Sequence, residues 1–172
     1  MTDMHSVWLM PQAQDEAMLA AIIADLATQF EAPLFRPHLT LVEDRPCEVQ
    51  ALAAEVAGIA RGIVPFSTRI EGVGTSELFF RAFFARFEAV GPVLELKQRA
   101  IRSIAASSIG AFMPHISLAY GVKDTPQRRR ASWEMDKRLA GRMIRFDHIG
   151  VVRSAQTIPI AEWEVRDTIL LS

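Results

Sequence analysis

Two histidines sit in matching surroundings, because Phe35-Arg36-Pro37-His38-Leu39-Thr40-Leu41 recurs as Phe112-Met113-Pro114-His115-Ile116-Ser117-Leu118. Histidine titrates near neutral pH, so one neutral ring can take a proton from attacking water while a second, protonated ring gives one to a departing oxygen. A hydroxyl two residues after each histidine adds a donor for the non-bridging oxygens of a phosphate, in the manner of an oxyanion hole. If each copy is a strand, alternation places His38 with Thr40 and Val42 on one face, and His115 with Ser117 and Ala119 on one face. Leu39, Leu41, Ile116, Leu118 and Tyr120 then turn to the opposite, core-facing side. This chemistry calls for no metal or other cofactor.

A single H-x-[T/S] tripeptide carries little information, since it arises by chance in many chains. Two copies in the shared context F-x-P-H-[LI]-[TS]-L, 77 residues apart from 38 to 115, carry far more. The plainer reading, a pair of core histidines, does not explain why the hydroxyl repeats as well. Zinc would want three or four ligands close together, and neither copy supplies an i+4 histidine or a neighbouring carboxylate.

The elements that must hold these residues follow from the apolar pattern. His5–Gln12 reads as an opening strand. Asp15–Glu31 reads as a helix, with Met18, Leu19, Ile22, Ile23, Leu26 and Phe30 at helical spacing behind an Asp15 cap. The first histidine strand follows, then a helix over Pro46–Gly62 and strands over Val64–Thr75 and Leu78–Phe87. Gly91-Pro92 opens a helix with Leu94, Ile101, Ile104 and Ala105 on one face, which leads into the second histidine strand as the first helix led into the first. Thr125–Arg142 reads as a charged helix, and Met143–Ser154 and Ile158–Leu170 as closing strands. The expected class is α+β: one bilobal domain over residues 1–172, its two lobes pseudo-symmetric, with antiparallel sheets lining a central groove and helices outside.

Other residues divide less clearly. Tyr120 reaches the site only if a strand end or bulge breaks the alternation, and otherwise packs in the core. Trp8 reads as a buried strand residue that could also line the groove. In Leu78–Phe87, Arg81 shares a face with Phe79 and Phe83 and reads equally as a ligand-facing or a surface residue. Arg128-Arg129-Arg130 reads as a solvated helix face. His5 and His148 lack the hydroxyl partner and read as structural, and Cys47 as a bystander.

Composition limits the partners. The 19 basic and 20 acidic residues give a formal net charge of −1, so no global positive field advertises nucleic acid or an anionic membrane. One cysteine excludes an internal disulfide, and the polar, acidic start does not read as a signal peptide, so a monomeric cytoplasmic protein with no membrane and no obligate protein partner is expected.

The paired His38-Leu39-Thr40 and His115-Ile116-Ser117 motifs resemble those of the 2H phosphoesterase superfamily. The opening Ser6-Val7-Trp8-Leu9-Met10-Pro11, the proline before each histidine and the Tyr120-Gly121 pair resemble its cyclic phosphodiesterase branch. The resemblance implies a bilobal fold and metal-independent hydrolysis of 2′,3′-cyclic nucleotides or ADP-ribose 1″,2″-cyclic phosphate to a phosphomonoester. It implies His38 and His115 as acid and base, with His115 favoured as the base, and Thr40, Ser117 and Tyr120 on the substrate. An enzyme of RNA ends, 2′,5′-ligase-like or exonuclease-like, would use the same residues. A noncatalytic nucleotide- or RNA-binding module is the alternative from another class.

Overall fold

The computed structural model describes residues 3–104 and 108–172. Its order is β1 (Met4–Pro11), α1 (Ala13–Phe30), β2 (Leu39–Pro46), α2 (Val49–Ala60), β3 (Phe66–Thr75), β4 (Phe83–Phe87), α3 (Gly91–Ile104), β5 (His115–Ala119), α4 (Pro126–Leu139), β6 (Met143–Arg153) and β7 (Glu164–Leu170). Short 3-10 turns stand before β4, β5 and β7, at Phe79–Arg81, Ile109–Ala111 and Ile160–Glu162. Among the described residues no helix is long and apolar enough to cross a membrane.

The expected α+β class holds, but the strands form one continuous antiparallel sheet where separate sheets were expected. Its order is β1-β2-β5-β4-β3-β6-β7, and a further β1–β6 pairing closes the first six strands into a barrel-like ring. Closure depends on β6, whose length serves three partners. One edge runs along β1, and the other meets β3 through Met143–Phe146 and β7 through His148–Arg153.

Leu9, Leu39, Ile116 and Ala85 lie side by side across β1, β2, β5 and β4, and all four are fully buried. That row anchors the apolar face of the sheet, against which α1 lays Leu19, Ile22 and Leu26. Because strand side chains alternate, the residues flanking the row point to the other face. Fully burying Leu9, Leu39 and Ile116 contributes roughly 1.5–3 kcal/mol each, which pins the register of the histidine strands.

Three local expectations change. Asp15 does not cap α1: its carboxylate accepts the backbone N–H of Arg145 at 2.8 Å, tying the helix start to β6. The inner face of α3 is Val93, Leu96, Lys97, Ala100 and Ile104, whereas Leu94 and Ile101 are only partly buried and Ala105 lies outside the described residues. Lys97 can be buried there because its Nζ donates to the Leu41 carbonyl at 2.7 Å. The third change, within Leu78–Phe87, bears on the site.

Candidate active site

The duplicated motifs become neighbours. β2 and β5 pair antiparallel through Leu39 and Ile116, and one residue to either side this register sets His38 opposite Ser117 and Thr40 opposite His115. Directly opposed residues share a face, so both imidazoles and both hydroxyls converge on the side away from the core. There they line a cavity of about 490 Å³, within the range of small-molecule sites.

Each histidine is oriented in the same way. Nδ1 of His38 lies 2.7 Å from the Arg36 carbonyl, and Nδ1 of His115 lies 2.9 Å from that of Met113. A carbonyl only accepts, so each Nδ1 carries the proton and Nε2 is left as the free lone pair. The intervening Pro37 and Pro114 have no N–H and a fixed φ, which holds each carbonyl two residues back where the ring can reach it.

Burial is the main influence on both rings. It pushes His38, only 8% exposed, from an ordinary 6.5 down to about 4, against the opposing hydrogen bond to Arg36. His115 is also lowered, by burial and then by the positive charge of Arg81. Both rings are therefore neutral in the free protein at pH 7. Part of the burial at His38 comes from Trp8, whose ring stacks on the imidazole with centroids 3.5 Å apart and planes 9° from parallel. Phe84 meets His115 edge-on at 5.5 Å.

The two hydroxyls are not equivalent. Ser117 Oγ donates to the Phe80 carbonyl at 2.8 Å, which commits its proton. The Thr40 hydroxyl has no hydrogen-bond partner among the described residues and presents a free donor to the cavity. Tyr120 joins them because β5 ends at Ala119, so the alternation that would have sent it to the core stops one residue short. Its ring stacks on Phe35 at 3.8 Å, and burial pushes its hydroxyl well above the usual phenol range, keeping it a neutral donor.

The segment expected as one strand over Leu78–Phe87 is a strand only from Phe83. Before it, Phe79–Arg81 forms a 3-10 turn: the Ser76 hydroxyl donates to the Arg81 carbonyl at 2.6 Å and accepts from the Leu78 N–H at 3.2 Å. The turn delivers Phe79, Phe80 and Arg81 to the cavity wall. Gly121 closes against it, donating its N–H to the Phe79 carbonyl at 2.9 Å; its φ of 68° and a Phe79 ring carbon 2.6 Å from where a Cβ would stand both require glycine.

Arg128 corrects the reading of the arginine triplet as a solvated face. Arg129 and Arg130 are exposed, but Arg128 is 3% exposed and donates to the Ser76 and Val122 carbonyls, each at 2.9 Å, and to Glu77 at 2.9 Å. It ties the turn to the segment following Tyr120. Its helical spacing to Ala131, Met135 and Leu139 was the available signal. Trp163 and Gln156, from segments between β6 and β7, and Glu43 and Asp44, from the body of β2, also line the cavity and were missed. Trp8 is both buried and cavity-lining, as the two readings allowed. His5 and His148 bond to the Cys47 carbonyl and to Asp147 and stand outside the cavity. Burial raises the Cys47 thiol pKa. Among the described residues no three His, Cys, Asp or Glu side chains group as a metal site.

Residues 11–157 match the family model of the 2'-5' RNA ligase superfamily. An Arabidopsis thaliana protein described as a cyclic phosphodiesterase is 21% identical over 166 residues, covering 94% of this chain and 92% of its own. A crystal structure of a Thermus thermophilus protein superposes with a TM-score of 0.65 at 20% identity, covering 98% of this chain and 97% of that one. Escherichia coli LigT, solved with 3'-AMP, gives a TM-score of 0.62 at 16% identity over 100% and 99% of the two chains. Those two likenesses concern the fold, while the family match spans most of the chain, paired motifs included: the protein belongs to the 2'-5' RNA ligase superfamily, the 2H phosphoesterases.

Proposed function

We propose that this chain hydrolyses a cyclic phosphodiester, a 2′,3′-cyclic nucleotide or ADP-ribose 1″,2″-cyclic phosphate, to a phosphomonoester, with His38 and His115 as acid and base. The observation that carries the reading is the pair of neighbouring strands that hold two imidazoles by the same Nδ1–carbonyl bond, leaving both Nε2 atoms for proton transfer. The name of the Arabidopsis relative supports it.

In the proposed reaction, water attacks phosphorus as its proton passes to one Nε2; the ring P–O bond breaks, and the leaving oxygen takes a proton from the other imidazolium. Thr40 donates to a non-bridging oxygen, and Ser117 does so once its hydroxyl turns from Phe80. Since both rings are neutral in the free protein at pH 7, the acid gains its proton on binding the anion, whose charge favours an imidazolium. Burial holds His38 unprotonated down to about pH 4, which favours His38 as the base and reverses the order implied by the resemblance.

The lobes are read as β1-α1-β2-α2-β3 and β4-α3-β5-α4-β6, related by a pseudo-twofold between the histidine strands. The strand order supports this, since exchanging the two sets swaps β1–β2 with β4–β5 and β3–β4 with β1–β6 and leaves β2–β5 and β3–β6 in place. The chain acts as a monomer on a small substrate. Action on RNA ends is the second reading, favoured by the superfamily's name. Reaction in ¹⁸O-water separates hydrolysis from ligation: turnover of the small cyclic phosphates with one label on the product phosphorus supports the proposal, whereas ligation or absence of labelled monoester overturns it.

A further inference from the structure

The four motif residues bring no permanent charge to the phosphate, and one of their two hydroxyl protons is committed to Phe80. Among the described residues Arg81 is the one lysine or arginine side chain on the cavity wall. It follows Phe80, whose carbonyl is 2.8 Å from Ser117 Oγ, so the backbone places it on the His115–Ser117 side of the cavity. The guanidinium makes no ion pair among the described residues, unlike Arg69, Arg86 and Arg128 nearby. Its Nε is shut off from solvent and has no hydrogen-bond partner; Arg128 Nε shares that state, but the rest of the Arg128 guanidinium is bonded to two carbonyls and Glu77. A desolvated, unpaired donor on a cation is costly, and natural structures seldom keep one without a use. The turn that carries it is held rigid from behind by Ser76 and Arg128.

We propose that Arg81 binds the non-bridging oxygens of the phosphate, its planar fork matching two oxygens at once, and neutralises the second negative charge that appears as a cyclic monoanion becomes a monoester dianion. This rests on the reading of the cavity as a phosphate site. A merely structural arginine would be paired in the free protein, and Arg81 is not. Its effect on His115, whose protonation it disfavours, is the further sign that its charge faces the reacting centre.

The test uses Arg81→Met, with Arg81→Gln as the variant to use should methionine disturb the fold, each checked by its amide NMR spectrum. Affinity for inorganic phosphate, measured by calorimetry, should fall at least tenfold, and kcat/KM on the cyclic substrate by about 10²–10³, the loss typical for one oxyanion donor. The NMR titration midpoint of His115 should rise in the free variant, as loss of a positive charge beside that ring requires. Phosphate affinity within threefold of the parent, with an unmoved His115 midpoint, overturns the assignment. A parent protein that turns over no cyclic phosphate, yet loses phosphate binding on substitution of Arg81, refutes the proposed reaction and leaves the role of Arg81 standing.

Discussion

The buried imidazole of His38 makes a quantitative prediction about acid stability. Its pKa is about 4 in the folded chain and an ordinary 6.5 in the unfolded one. Above pH 6.5 both states hold it neutral and it contributes no pH dependence. As pH falls from 6.5 towards 4, the unfolded chain binds the proton and the folded chain does not, so stability falls with pH. The full span is worth about 3 kcal/mol, of which about 2 kcal/mol is lost by pH 5. The variant His38→Asn keeps a donor for the Arg36 carbonyl and removes the titration. Urea unfolding of both proteins at a series of pH values between 7 and 4.5 isolates the effect, because the carboxylates and His115 titrate in both and cancel in the difference. The variant should gain about 2 kcal/mol on the parent between pH 7 and pH 5. A difference that stays within about 0.5 kcal/mol over that interval would refute the placement of a neutral imidazole in the stack beneath Trp8.

Because burial lowers both histidines, both limbs of the kcat/KM profile should lie below pH 6.5, giving an optimum on the acid side of neutrality; an optimum at or above pH 7.5 would contradict the burial of the pair. Trp8→Ala, which opens His38 to water, should move the limb near pH 4 upward, and an unmoved limb would show that the stacked ring does not govern that imidazole. Arg128→Ala leaves the Ser76 and Val122 carbonyls without their guanidinium donor and should cost about 2 kcal/mol in chemical denaturation, the usual penalty for buried groups stripped of a partner. A loss below about 1 kcal/mol would mean the turn stands without it.

The residues whose local surroundings repeat were the legible ones. The F-x-P-H-[LI]-[TS]-L copies announced both histidines and both hydroxyls, and strand alternation assigned their face correctly. Tyr120 was legible as a condition, a strand end, which β5 meets at Ala119. What escaped was set by partners distant in the chain. Leu78–Phe87 has the apolar density of a strand, yet its first half is bent into a turn by the Ser76 hydroxyl and by Arg128 from α4. The same holds for the ring closure through β1 and β6: an apolar strand pattern says which face is buried, not which edge finds which partner. Asp15 reads as a helix cap, but α1 begins two residues earlier behind Gln12, so Asp15 falls within the first turn, where the Arg145 N–H from the far end of the chain takes its carboxylate.

The proposed reaction is metal-independent hydrolysis of a cyclic phosphate by the two motif histidines. EDTA-treated protein incubated with 2′,3′-cyclic nucleotides and with ADP-ribose 1″,2″-cyclic phosphate, followed by ³¹P NMR, tests it most directly, with His38→Ala and His115→Ala alongside. Conversion to a phosphomonoester should persist in EDTA and fall by at least about 10³-fold in each variant while both remain folded. Full turnover by either variant, or no turnover of any of these substrates by the parent protein, would contradict it.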